Sequence, residues 1–189
     1  MQVDYDGAVR IARLAAAFDW SWTVADVEPF CAAAGWRFEP FPKTSKTLSL
    51  QVTTDLAVNR QDGLARASVL EVKRWRPSRT MLNDFSVYIT DVTTVGDVDA
   101  DLTDAFAGLT ARLTSELAEP TRWSTGDDGL DREVGWELPK SVIVLSASYP
   151  VQSPPKPTGA IRLKLINPVY QAFNDAAAEY ERLEEEDEG

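Results

Sequence analysis

The stretch DLTDAFAGLTARLTSEL, residues 101–117, decides how this chain is built. Leu102, Phe106, Leu109, Leu113 and Leu117 recur at spacings of four, three, four and four, one apolar stripe down a helix, with Thr103, Asp104, Arg112 and Glu116 off it. Asp97, Asp99 and Asp101 place a capping side chain and a favourable charge at its amino end, and Pro120 stops it soon after Leu117. These acids, with Asp104, therefore read as a helix start and not as a site. Strand-like segments lie on both sides, so the helix is expected to cover a sheet built from both halves of the chain.

Upstream, Ala8, Ile11, Ala12, Leu14 and Ala15 fit an amphipathic helix over 6–17. Thr23 reads as the cap of a second helix that runs to about Ala34, with Val24, Val27, Phe30 and Cys31 inward and Gly35 closing it. Pro29 inside it predicts a kink or a later start. Trp36, Phe38 and Phe41 form a short strand before a loop at 42–46. Over 47–58, Leu48, Leu50, Val52, Leu56 and Val58 alternate with polar residues, a strand with one wet face. A turn at 59–63 returns the chain as a hairpin partner over 64–72. Phe85, Val87 and Ile89 alternate with Ser86, Tyr88 and Thr90 in a further strand.

Downstream, 124–132 holds Gly126, Asp127, Asp128, Gly129 and Asp131 and reads as a polar connection. Val134, Trp136 and Leu138 share one face of a strand, and 142–145 is apolar at every position, as a strand buried on both faces and central in the sheet would be. A stiff loop at 150–159 carries Pro154, Pro155 and Pro157; Ile161, Leu163 and Leu165 then make a last strand whose other face shows Arg162 and Lys164. Asn167-Pro168 opens a terminal helix whose inward stripe is expected to be Tyr170, Phe173, Ala177, Tyr180 and Leu183. Seven acids against one Arg over 179–188 give −6 of the total charge of −11, and like charges at a helix carboxyl end oppose its dipole. The expectation is one α+β domain over 1–183, an antiparallel sheet of six to seven strands packed on a central helix, with N-terminal helices, a C-terminal helix and an acidic tail over 184–189 that frays.

Composition excludes several activities. The chain has no His, which removes imidazole as general base or metal ligand, and with it serine triads, Cys-His pairs and His-bearing zinc sites. A single Cys31 permits no internal disulfide, and it reads as a small core hydrophobe. The start MQVDYD lacks the basic opening and apolar run of a signal peptide, and no stretch approaches the roughly 20 apolar residues of a membrane span. A cytoplasmic protein without membrane contact is expected. The charge of −11 opposes direct nucleic-acid contact and favours a basic protein surface.

Candidate sites are few. Asp127, Asp128 and Asp131 lack the glycine and terminal Glu of a calcium loop at the required offsets, so they read as a solvated loop. Neither a Walker loop nor a G-x-G-x-x-G cradle occurs. The basic segment KRWRPSR at 73–79 mixes Arg with Trp75, as single-strand nucleic-acid contacts do, but one such loop on an acidic protein reads as exposed surface. The Trp residues are expected in the core. No catalytic residue, cofactor or metal is indicated. Asp127, Asp128, Asp131, Glu184, Glu185 and Glu186 are the candidate rim for a protein contact, being clustered acids on elements expected to be exposed.

The order and spacing of Asp19-Trp20-Ser21-Trp22, Gly35-Trp36, the helix from Phe106 to Glu119-Pro120, and the segment from Trp136 to Ser146 resemble an actinobacterial family that looks like the immunity proteins of polymorphic toxin systems. The likeness covers roughly residues 9–167 and rests on structural aromatics and turns. It implies a small, acidic, cytoplasmic, non-enzymatic protein, monomeric or weakly dimeric, that occludes the active site of a cognate toxin domain. The element order is also similar to secretion chaperones, which implies the alternative of an adaptor for an exported, unfolded segment.

Overall fold

The computed structural model describes residues 1–40, 47–68, 81–94, 98–126, 131–148 and 158–187. The expected loops at 42–46 and 73–79, most of that at 150–159, and the capping Asp97 lie outside the described residues. Helix α1 spans Tyr5–Ala17, with Asp4 accepting from the Gly7 amide at 2.8 Å as its cap. A 3-10 turn at Val24–Asp26, closed by a reciprocal Thr23 and Asp26 capping box, precedes α2 at Val27–Ala34. The later start puts Pro29 in the first helical turn, where its missing N–H leaves no bond unmade. Gly35 ends α2 at φ 76°, the left-handed conformation that favours glycine.

The strands are β1 Arg37–Pro40, β2 Thr47–Thr53, β3 Asp62–Ser68, β4 Met81–Tyr88, β5 Thr93–Thr94, β6 Arg122–Thr125, β7 Arg132–Glu137, β8 Val142–Ser148 and β9 Thr158–Ile166. Helix α3 spans Val98–Leu117 and α4 spans Pro168–Asp187. All strand pairings among the described residues are antiparallel, and the order across the sheet is β1-β2-β3-β4-β9-β8-β7-β6, with the two-residue β5 continuing beyond β4 along β9. This is the expected α+β architecture, with β5 and β6 added to the expected strands. β6 reads R-W-S-T, with no alternation of apolar and polar residues to mark it as a strand.

β2 is shorter than its hydrophobic pattern, ending at Thr53 rather than 58, although Leu56 and Val58 stay buried. The backbone over 54–61 is drawn out of the ladder by side chains from elsewhere. Asp4 accepts from the Ala57 amide at 2.8 Å and Asp91 from the Asn59 amide at 2.8 Å, while the Asn59 side chain bonds the N–H and C=O of Val92.

The core lies between one sheet face and the layer formed by α1, α2 and α3. Leu102, Leu109 and Leu113 of α3 are fully buried with Phe106 nearly so, and they meet Ile143, Leu145, Leu163 and Leu165 of β8 and β9 in one cluster. α1 and α3 approach closely where Gly108 faces Tyr5: a Cβ there would lie 3.0 Å from the Tyr5 hydroxyl. Arg112 sits 4.7 Å above the Tyr5 ring and pairs with Asp6 at 3.0 Å. At the other end of the core Trp20 and Trp22 stack at 4.4 Å, with Phe18, Phe30, Trp36 and Phe85 around them. Trp22 adopts φ 53°, an unfavourable backbone region held by its indole N–H to the Lys140 carbonyl at 2.7 Å and by its own carbonyl to the Leu82 amide at 2.9 Å.

Candidate partner-binding surface

The second face of the sheet carries the charges. Period-two alternation places Arg66 and Asp84, Tyr88 and Arg162, and Glu133, Ser146 and Lys164 on this face across neighbouring strands. Glu133 pairs with Lys164 at 2.6 Å; burial raises its carboxyl, but Lys164, Ser146 and Arg122 together hold it below the usual carboxylate range. Asp84, 3% exposed, has its carboxyl raised by burial, with Arg66 at 2.9 Å drawing it only part of the way back. Arg60 and Arg162 each lie 4.7 Å from the Tyr88 ring centre, and Arg162 also donates to the Tyr88 hydroxyl at 2.8 Å. A polar cavity of about 320 Å³ opens beside them, lined by Ser124, Asp131, Glu133, Ser146, Arg162 and Lys164 among others.

Toward the β6 edge the same face is covered. Arg122 lies over Gly135 toward Val144, because a Cβ on Gly135 would sit 3.4 Å from the Arg122 Cβ and 3.5 Å from both its Cδ and Val144 Cγ2. Its guanidinium then takes Asp175 of α4 in a two-pronged pair at 2.8 and 2.6 Å, and this contact holds the Asp175 carboxyl below its usual range. β8 is thereby buried at every position from Val142 to Ala147, as expected for a central strand.

α4 starts as its sequence predicts: the Asn167 carbonyl oxygen of the side chain accepts from the Val169 amide at 2.9 Å, and its side-chain amide donates to the Leu82 carbonyl at 3.1 Å. Of the expected inward stripe Tyr170 is half-buried, but Phe173, Ala177, Tyr180 and Leu183 are exposed, which overturns the expectation from Phe173 onward. Val169, Phe173, Tyr180 and Leu183 are 67, 57, 63 and 48% exposed. At 3.6 residues per turn these four fall within about 80° of one another, while Gln171, Asn174 and Asp175 lie on the opposite side. Those polar residues meet the body through Asp175, and every residue from 176 to 184 is exposed. Up to Asp175 the helix therefore turns its polar side inward and its apolar side to solvent, and beyond it the helix stands clear of the body.

On the other face of the edge strand Trp123 is 67% exposed, a correction to the expectation that the tryptophans are core residues. It lines an apolar groove of about 430 Å³ with Phe106, Ala107, Thr110 and Ala111 of α3. β6 ends the sheet, so along its outer side a row of backbone N–H and C=O groups meets no strand among the described residues.

Four of the six candidate rim residues lie among the described residues. Asp127 and Asp128 lie outside the described residues, while Asp131, exposed at the start of the β7 hairpin arm, lines the polar cavity and accepts from the Gly126 amide through its carbonyl at 2.7 Å. Glu184, Glu185 and Glu186 stand in the last turns of α4, and Glu184 is exposed about 25 Å along the axis from Asn167 at 1.5 Å per residue. Missed in the sequence were Trp123 and the outward direction of Phe173, Tyr180 and Leu183. An amphipathic pattern reveals that a stripe exists but not which way it turns. Asp175 within the polar side was the available signal, being an acid able to bind the body.

Chemistry is sparse. Cys31 lines a cavity of about 450 Å³ with Glu28, Trp36 and Arg37, and burial pushes its thiol up to about 11, which keeps it protonated and a poor nucleophile. Among the described residues no group of three or more acids or thiols could hold a metal ion, and no helix is long and apolar enough to cross a membrane. No curated protein and no solved structure matches the chain. Residues 6–150, most of the chain, match one family, and the protein therefore belongs to DUF6301, a family of unknown function.

Proposed function

We propose that this is a non-enzymatic binding protein, a cytoplasmic immunity protein that neutralises a cognate basic toxin domain by covering its active site. One observation carries the reading: of the seven large apolar side chains exposed among the described residues, four, Val169, Phe173, Tyr180 and Leu183, stand on one side of α4. Exposed apolar groups gathered on one side of a helix mark a surface made to be covered. The acid-rich end of α4 supplies the electrostatic steering that a basic partner would respond to. The resemblance of its aromatics and turns to immunity proteins supports the same role.

The test is co-purification of the tagged protein from its native host with identification of what it holds by mass spectrometry. The expected result is a folded basic domain encoded nearby, whose activity the purified protein abolishes at one-to-one stoichiometry. A second reading, a secretion chaperone, is favoured by the unpaired β6 edge beside the Trp123 groove, since an extended segment could add to that edge. Recovery of an exported substrate in an unfolded state, and of no toxin, overturns the immunity reading in favour of the chaperone.

A further inference from the structure

We propose that α4 is the anchor of that interface: its outward stripe of Val169, Phe173, Tyr180 and Leu183 seats in an apolar groove of the basic partner, with Glu179 and Glu184 meeting cations on the groove's rim. This rests on the binding-protein reading and adds to it the element and the mode of docking.

The orientation of the helix is fixed from both ends of its first half. Asn167, 2% exposed, caps it while bonding the β4 backbone, and Arg122 grips Asp175 with two hydrogen bonds. These contacts hold the polar side down and present the apolar side, so the stripe is not free to roll onto the body. An amphipathic helix with solvent on its apolar side is the element that helix-in-groove recognition requires, with anchors spaced by four residues from Val169 to Phe173 and by seven from Phe173 to Tyr180.

Charge selects the occupant. Residues 179–188 carry seven acids and one Arg, and the whole chain carries −11. A second copy would bring two such helices and two such bodies together against their own repulsion. A basic partner gains attraction instead. The negative end of the helix dipole lies among the same acids, so the last turns repel one another in the free protein, and cations on a partner relieve both effects. Docking should therefore also order the distal half of α4, where no described residue from 176 to 184 is covered.

The experiment uses the full chain and its Phe173→Glu, Tyr180→Glu double variant; both sites are more than half exposed, so the two proteins should melt together. Sedimentation of the purified chain alone should show a monomer, and a dimer that the double variant abolishes would overturn the proposal in favour of self-association. The partner identified from the host is then made as a purified domain. Binding should weaken at least about 30-fold in the double variant and severalfold in Glu179→Gln, Glu184→Gln, with amides over 176–187 protected from hydrogen exchange only in the complex. An equal affinity for the double variant, or no protection over 176–187, overturns docking by α4 and leaves the binding-protein reading standing. A host in which the tagged chain holds no protein overturns both.

Discussion

Ala118 follows α3 at φ 95°, a region where the Cβ of any residue but glycine crowds its own carbonyl. It is held there because its N–H closes onto the Thr114 carbonyl at 3.1 Å and its own carbonyl accepts the Trp136 indole N–H at 3.1 Å. Ala118→Gly removes the crowding and keeps both bonds. Set against the extra freedom glycine gives the unfolded chain, the change should stabilise the protein by about 0.5–1 kcal/mol, read as a higher urea midpoint at unchanged slope. Asp84 presents the opposite kind of strain, a carboxylate that burial disfavours and that Arg66, half exposed, compensates only in part. Because its folded pKa is raised, the folded state binds this proton more tightly than the unfolded state does. The associated stability is complete below the unfolded value and is lost as pH rises through the folded one. Asp84→Asn carries no such charge at any pH and keeps a side-chain oxygen for Arg66, whose half-exposed guanidinium stays solvated. The variant should melt above the parent at pH 7, with the gap closing as the pH approaches about 4; a gap that widens on acidification would show that Arg66 dominates the site.

α3 and α4 are each 20 residues long and each carries a clear apolar stripe, yet they meet opposite fates. The stripe of α3 is buried against β8 and β9, whereas that of α4 faces solvent. Leu109→Ala, at a fully buried position, should cost about 2–5 kcal/mol, and Tyr180→Ala less than about 0.5 kcal/mol, measured by urea unfolding of the two variants side by side. A large loss at Tyr180 would mean that α4 packs on the body in solution. The pair also shows how far the sequence reaches. Leu102, Phe106, Leu109 and Leu113 announced a helix and, with strands on both sides, its partner. Phe173, Tyr180 and Leu183 announced a helix equally well, but direction depends on what the polar side finds, and Arg122 lies more than 50 residues from Asp175 in the chain. β6 left no trace because a four-residue edge strand exposed at Trp123, Ser124 and Thr125 buries too little on either face to require alternation. Gly35, Asn167 and Pro168, whose roles are local, were readable in full.

At the scale of the molecule, the strand order carries a consequence that no local pattern reveals. β1 to β4 come from residues 37–88 and β6 to β8 from residues 122–148, and the two groups do not pair with one another; β9, at Thr158–Ile166, stands between β4 and β8 and joins them. Five register pairs bind it to β4 and seven to β8, and Ile161, Leu163 and Leu165 place three almost fully buried side chains in the middle of the core. Residues 6–150 match the family, so the strand that completes the sheet lies just beyond the matched region. Most of the core must therefore wait for the last strand of the chain, which makes folding dependent on contacts distant in sequence. A chain ended at residue 150 should consequently fail to fold: it would expose two apolar edges where β9 belonged and leave Ile143, Leu145, Phe85 and Val87 without their cross-strand partners. The expected result is loss of the cooperative thermal transition and of dispersed amide resonances, while a chain ended at residue 183, which keeps β9 and most of α4, retains both. A cooperative melt from the chain ended at 150 would show that the two strand groups form a sheet without β9, contradicting its central place.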